Sequence, residues 1–358
     1  DPQIVNLGKK YHPERPYSSP RVNVIIDDGR SFFRRTNKKY DLIVMGLADS
    51  HTLSSSLTNI RLDHYLYTKE SLEEAKKLLK PSGLLYLSFE VDKNGWTGAK
   101  IEKNLNEVFG RESVIFELRD TTFFGLGGIV FMASDEGDVL EKYLSKNPDL
   151  KKFIEARRVH YDTNVKSLTD DWPYLYLNKP QIPKIHLWIS ISLIVLFFAL
   201  QRTIAWRGRF RWDLFALGAG FLLYEFQNVS KTSLLFGNTW TTNLFTITAI
   251  LLFILLANLI QAKRPLPLKA AYVGLVLAFV AQFLIPLEIF NSFSSYAKVI
   301  WGPLFLNLPL FFSGVIFITL FRDAKEKSAA LASNLMGSAA GGLLEALSFL
   351  CGIQSLLF

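Results

Sequence analysis

The sequence is poor in the residues that build cross-links and metal sites. It has one cysteine, Cys351, set in an apolar stretch. Neither an intrachain disulfide framework nor a cysteine-built metal site is available. Its five histidines show no zinc-type spacing, so no metal is expected. There is no initiating Met and no secretory n-region: the chain begins Asp1-Pro2, and the expectation is a beginning that lies upstream. Acidic residues are scarce in one half. Residues 180–358 hold 6 Asp+Glu against 13 Lys+Arg, whereas residues 1–179 hold 26 against 27. The net charge of +8 therefore sits between long apolar runs, where the positive-inside bias places Lys and Arg. It does not form a basic face on a soluble domain, and nucleic-acid binding is not expected.

What is present divides near Lys179. In the first half, short β-branched runs alternate with helical patterns. Arg21–Ile26 reads as a strand, followed by Asp27-Asp28-Gly29-Arg30 and a helix opening at Ser31–Arg35. Tyr40–Leu47 is a continuous apolar run, as expected of a strand buried on both faces. A helix over Lys69–Leu79 should stop at Lys80-Pro81-Ser82-Gly83, with a strand over Leu84–Val91 and a helix over Ile101–Phe109. Ser113–Leu118 and Gly128–Ala133 read as a closing hairpin. Such alternation implies a mostly parallel, helix-covered sheet. Ligands of such sheets sit at the carboxyl ends of strands. Two such ends carry chemistry: Asp27, Asp28 and Gly29, and Gly46–His51. A carboxylate there binds a ligand or caps the following helix.

Asp1-Pro2, Pro20-Arg21-Val22, Asp28-Gly29-Arg30, Tyr40–Val44, Tyr67–Leu72 and Leu79–Leu84 occur in an order and spacing that resemble the spermidine synthase-like domain of the class I methyltransferase fold. Leu168–Leu177, Gly218–Phe221 with Glu225, Phe236–Trp240 and Asn334–Ser348 are similar to bacterial membrane proteins in which that domain is fused to a transmembrane bundle. The fold implied is a Rossmann-like methyltransferase-type α/β domain, with its N-terminal part missing, plus an all-α bundle. The resemblance implies transfer of an aminopropyl or methyl group to an amine, a polyamine or other small amine as partner, and decarboxylated S-adenosylmethionine or S-adenosylmethionine as donor. It assigns donor binding to Asp28, with Asp27 and Gly29, and leaves the glycine-rich loop and the ribose carboxylate before residue 1.

The family's base is an Asp that ends the YDxIxxD strand, because an ammonium must lose a proton before it attacks. In this sequence that position is Gly46, and Asp49 lies three residues on. Asp49 as substitute base, a different reaction, and no reaction all remain open. The polar stretch that follows carries His51, Arg61 and Tyr65 as a candidate lid. His51 and His64 read as acid/base groups or as surface histidines.

Three regions result: 1–134 for the partial domain, 135–184 for a helical and aromatic linker, and 185–358 for a membrane bundle. In the linker, Asp135–Arg158 reads as two charged helices with Pro148 opening the second. Trp172, Tyr174 and Tyr176 suit an interfacial aromatic belt, while Asp170 and Asp171 could close a pocket. About six spans are expected: Ile185–Trp206, Asp213–Phe236, Thr241–Ala262, Leu268–Phe290, Val299–Phe321 and Ala329–Leu357. Glu225 and Glu345 lie deep in theirs and Glu288 near an end. Carboxylates at depth face a bundle interior and serve either a cation path or a structural pairing, such as Glu225 with Lys231 or Asn228. Gly337, Ala340, Gly341 and Gly342 form a small-residue face for close helix packing.

The expected location is the bacterial cytoplasmic membrane, with the lipid bilayer as partner and the oligomeric state open. The side of the soluble domain stays open as well. The loops away from it hold Arg202, Arg207, Arg209, Arg211, Lys263, Arg264, Lys269, Arg322, Lys325 and Lys327. That bias places the domain outside the cytoplasm, whereas adenosyl donors are made inside. A membrane-bound transferase, an inactive nucleoside- or polyamine-binding module, and a transporter with an accessory domain are the three functions consistent with these residues.

Overall fold

The computed structural model describes residues 2–46, 62–91, 95–118, 128–203, 210–237, 240–293 and 295–357. Four strands form one sheet: β1 (Tyr40–Gly46), β2 (Leu79–Phe89), β3 (Val114–Glu117) and β4 (Ile129–Ala133), in the order β1-β2-β4-β3. β1 and β2 are parallel; β2–β4 and β3–β4 are antiparallel. The sheet is therefore mixed among the described residues, and not mostly parallel. Its single crossover runs from β1 through α3 (Lys69–Lys77) to β2, and the expected hairpin closes the other edge.

Strand alternation sends β2 side chains to two cores. Leu85, Leu87 and Phe89 pack with Leu72 and Ala75 of α3 and with Ile101 and Leu105 of α4 (Trp96–Phe109). Leu84 and Tyr86 pack on the opposite face with Val130, Met132 and Ile154. Ile154 belongs to α6 (Pro148–Glu155), which follows α5 (Gly137–Ser145). Pro148 opens α6 as expected, where its missing N–H costs nothing.

Two expectations fail. Lys80-Pro81-Ser82-Gly83 lies inside β2 and does not terminate α3. The register shifts opposite Tyr40 and Leu42, and Ser82 has φ 62, so the irregularity absorbs a proline without a donor. Arg21–Ile26 is unpaired, with Val22, Ile25 and Ile26 exposed. No described strand lies beside it to take its backbone groups.

Six long helices follow: α7 (Lys184–Thr203), α8 (Trp212–Phe236), α9 (Trp240–Lys263), α10 (Leu268–Leu284), α11 (Ser295–Asp323) and α12 (Lys327–Leu344). Three stretches are long and apolar enough to cross a membrane: Leu244–Lys263, Tyr296–Asp323 and Lys327–Cys351. Lys184–Leu196 and Leu268–Leu284 are shorter apolar helices. α8 carries Asp213, Glu225 and Lys231. Two expected spans are interrupted. α10 ends before Pro286 and continues as a 3-10 turn over Leu287–Ser292. α12 breaks at Glu345 into a 3-10 turn and a short helix, Ser348–Cys351, that ends at Gly352 with φ +95.

α8 and α12 touch through glycine. A Cβ on Gly337 would collide with the Phe215 carbonyl, one on Gly341 would lie 2.5 Å from the Ala219 carbonyl oxygen, and one on Gly218 would collide with the Asn334 carbonyl. The small-residue face of the sequence therefore packs backbone against backbone. A Cβ on Gly220 meets nothing within 4 Å. Gly337→Ala is expected to lower the stability of the detergent-solubilised protein by about 1–3 kcal/mol through overpacking. Gly220→Ala, read in the same thermal melt, should be neutral or slightly stabilising.

Candidate functional site

The carboxyl end of β1 is the first place where function was expected. Gly46 ends the strand beside Ser88, and a Cβ built there meets nothing within 4 Å. The position has room for a side chain, yet it carries no carboxylate. Asp28 caps α2 (Gly29–Arg35): its Oδ1 accepts the Ser31 amide at 2.9 Å. Its side chain also abuts Gly237 after α8. Asp27 accepts the Asp28 amide at 2.9 Å and pairs with Arg35. Gly29 begins the helix against Leu66. These contacts are those of a helix cap docked on the bundle. Asp49, His51 and Arg61 lie outside the described residues.

The chemistry concentrates one layer away, around Arg30. This buried guanidinium makes a bidentate pair with Asp170 at 2.5 and 2.6 Å and reaches Glu74 at 3.3 Å. It also donates to the Tyr65 carbonyl at 3.2 Å and to the Thr68 hydroxyl oxygen at 3.3 Å. Thr68 donates to Asp170 at 2.8 Å. Arg34, one turn further along α2, donates to Glu74 at 2.8 Å and to the Leu234 carbonyl of α8. Burial disfavours the Arg30 charge, and the Asp170 and Glu74 carboxylates more than offset it, so its pKa rises. Glu70 receives the Asp170 amide at 3.0 Å. Burial and the Asp170 charge push its carboxyl up to about 7.

Asp170 opens a segment that fastens both halves of the chain together. Trp172 and Tyr174 are 1% and 0% exposed and belong to the soluble domain's core. The Trp172 indole donates to the Phe349 carbonyl at 2.9 Å, and the Tyr174 hydroxyl donates to Ser348 at 2.5 Å. Asp171 accepts the Gln354 amide at 2.7 Å, and its carbonyl accepts the Ile353 amide at 2.8 Å. Lys100 of α4 donates to the carbonyls of Tyr174 at 2.8 Å, Leu175 at 3.4 Å and Leu177, with its ammonium 4.6 Å from the Trp172 ring. The expected aromatic belt is thus a buried joint. His64 is likewise buried, with Nδ1–H donating to the Pro173 carbonyl at 3.1 Å, and is not a surface histidine. Tyr65 is buried as well: its carbonyl accepts from Arg30 and its hydroxyl faces Ser230 of α8.

Between the two halves lies a cavity of about 410 Å³. Arg34, Tyr65, Asp170 and Asp171 line it from the domain side, and Gln227, Ser230 and Lys231 from α8. Phe283, Phe305 and Leu306 form its apolar wall. Gln227 is fully buried, and neither its amide nitrogen nor its oxygen has a hydrogen-bond partner among the described residues. Lys231 forms no ion pair with Glu225 among the described residues, and Asn228 bonds Asn307 at 2.7 Å instead. Glu225 and Glu345 are half-buried and do not line this cavity. Sequence reasoning missed Arg30, Glu70, Lys100 and Gln227. Arg30 stood in a motif it had singled out, and Asp170 had been read as a residue that could close a pocket, but nothing in the sequence paired the two across that length of chain.

Comparison with known proteins bears on the first half. The spermine/spermidine synthase domain family matches residues 1–114. Curated relatives are polyamine aminopropyltransferases. That of Korarchaeum cryptofilum is 31% identical over 170 residues, 45% of this chain and 50% of the relative. That of Sulfurisphaera tokodaii is 30% identical over 166 residues, 45% of this chain and 52% of the relative. That of Buchnera aphidicola is 36% identical over 90 residues, 24% of this chain and 31% of the relative. The N-terminal part of the chain is spermidine synthase-like. The chain spans about half, or less, of the length of these relatives. Three of the described helices that follow this part are long and apolar enough to span a membrane.

Removing the Arg30 cation leaves the Asp170 and Glu74 carboxylates without it in a partly buried site. Arg30→Gln is expected to cost about 3–5 kcal/mol, read as a lowered unfolding midpoint of the solubilised protein. Glu70 gives a pH signature. Its folded pKa of about 7 lies above the ordinary 4.5, so the folded state holds the proton more tightly. The stability this confers is complete below about pH 4.5 and is lost as pH rises through about 7. Melts between those values should fall more steeply for the native protein than for Glu70→Gln. Equal slopes would remove Glu70 from the account.

Proposed function

We propose that this is a membrane-bound, spermidine synthase-like protein of polyamine-related metabolism. It transfers an aminopropyl or methyl group from decarboxylated S-adenosylmethionine or S-adenosylmethionine to a small amine. The observation that carries the reading is the family match over residues 1–114. The donor supplies an electrophilic carbon next to a sulfonium. Of this chain's own groups, the base has to be a carboxylate near the end of β1. Gly46 offers none, and Asp49, three residues on, takes the proton from the attacking ammonium. The proposal holds residues 1–134 as the domain, 135–184 as its linker and 185–358 as about six membrane helices. Support for membrane residence is physical. Long apolar side chains such as Leu251, Leu255, Val276 and Leu277 face outward from α9 and α10. Such a continuous apolar exterior is stable against lipid and not against water.

Gly46 favours a second reading, a domain that binds a nucleoside or amine without turnover. Loop charges support it. The domain docks on the α8 end at Leu234 and Gly237, whereas Arg211, Lys263 and Arg322 belong to the opposite helix ends. The positive-inside bias then puts the domain outside the cytoplasm, away from the donor's source.

The two readings separate in one assay. The full-length protein in nanodiscs is given putrescine with decarboxylated S-adenosylmethionine or with S-adenosylmethionine, and release of methylthioadenosine or S-adenosylhomocysteine is followed. The transferase reading expects release, reduced about 100-fold or more in Asp49→Asn. Binding without release would establish the second reading and exclude the first.

A further inference from the structure

The junction cavity contains charges that cancel and charges that do not. On its wall Arg34 is matched by Glu74, and Asp170 by Arg30, from the layer behind. Two charged groups remain on the cavity wall. Lys231 has no ion pair or hydrogen bond among the described residues. Asp171 accepts the Gln354 amide and forms no ion pair among them. Gln227, one helical turn before Lys231 on the same face of α8, presents a buried carboxamide without a partner. A polar group removed from water without a hydrogen bond costs about 1–3 kcal/mol, and an uncompensated ion costs more. Gln227 is such a group, and with the half-buried Lys231 and Asp171 around the same cavity it marks a site completed by a ligand.

The chemistry of the three groups specifies that ligand. Lys231 and the Gln227 N–H call for an anionic acceptor, and Asp171 calls for a cationic donor. An inorganic anion would leave Asp171 uncompensated, and a diamine would leave Lys231 so. We propose that the cavity binds a small zwitterion of the amino-acid type, with its carboxylate on Lys231 and Gln227 and its ammonium toward Asp171. The apolar wall of Phe283, Phe305 and Leu306 receives the side chain. About 410 Å³ accommodates a molecule of that size. The site is separate from the carboxyl end of β1 and does not rest on the transferase reading. Because its walls come from the domain and from α8, α10 and α11, occupancy ties the two halves together.

The test is equilibrium dialysis of the full-length protein in nanodiscs against each of the radiolabelled L-amino acids, with putrescine and inorganic phosphate in parallel. At least one amino acid should bind the native protein in preference to both comparison compounds. Lys231→Met and Gln227→Met should each weaken it at least about thirty-fold, and the charge-keeping Lys231→Arg should recover most of the loss. Should Lys231→Met fail to fold, Gln227→Met and Lys231→Arg decide alone. Failure of every amino acid to bind, equal binding by the variants, or preferential binding of putrescine or phosphate would overturn the proposal.

Discussion

The pair between Arg30 and Asp170 is the contact on which the arrangement depends. It joins a helix at the start of the soluble domain to a segment 140 residues later. A bidentate guanidinium–carboxylate pair fixes orientation as well as distance. Once it is set, Asp171 points at the C-terminal turn, Trp172 and Tyr174 enter the domain core, and Arg34 reaches the last turn of α8. A buried pair of this kind is weak evidence for net stability, since both ions were desolvated to make it. Its consequence here is geometric: the domain has one seat on the bundle.

That seat explains where polar groups occur in the helices. α9 and α10 are apolar almost throughout, whereas α8 carries Gln227, Asn228, Ser230 and Lys231 on and around the side that meets the domain and α11. Asn228 is satisfied by Asn307, and Tyr224 by Gln282 at 2.9 Å. These are the pairings that hold a helix with polar side chains inside an apolar bundle. The end of the short helix after α12 has the same origin. Gly352 turns the chain so that Ile353 and Gln354 can donate to Asp171.

Local pattern and tertiary partnership were unequally legible. The hairpin of β3 and β4, the helices α3 to α6 and the six long helices followed from periodicity and from Pro and Gly punctuation. Asp28 as a helix cap followed from elementary capping chemistry. Lys80-Pro81-Ser82-Gly83 misled because a helix stop and a strand irregularity use the same residues. Arg21–Ile26 misled because β-branched composition does not supply a partner strand. Trp172, Tyr174 and His64 were misplaced for a common reason. An aromatic near an apolar helix looks the same in sequence whether it faces a bilayer surface or a protein core, and the deciding partners, Phe349, Ser348 and Pro173, are distant or uninformative by type. Of the anticipated site residues, Asp27, Asp28 and Gly29 fall in a cap, Tyr65 and Lys231 line the junction cavity, and Glu225 and Glu345 lie away from it.

The central claim is that residues 168–177 form a buried joint between the domain and the bundle. Native-state hydrogen exchange of the full-length protein in nanodiscs measures this directly. The account predicts that the amides of Leu168, Asp170 and Trp172, which donate to Asn104, Glu70 and Thr169, exchange as slowly as those of α4. Exchange of these amides as fast as that of the exposed Lys179 and Gln181 would contradict it.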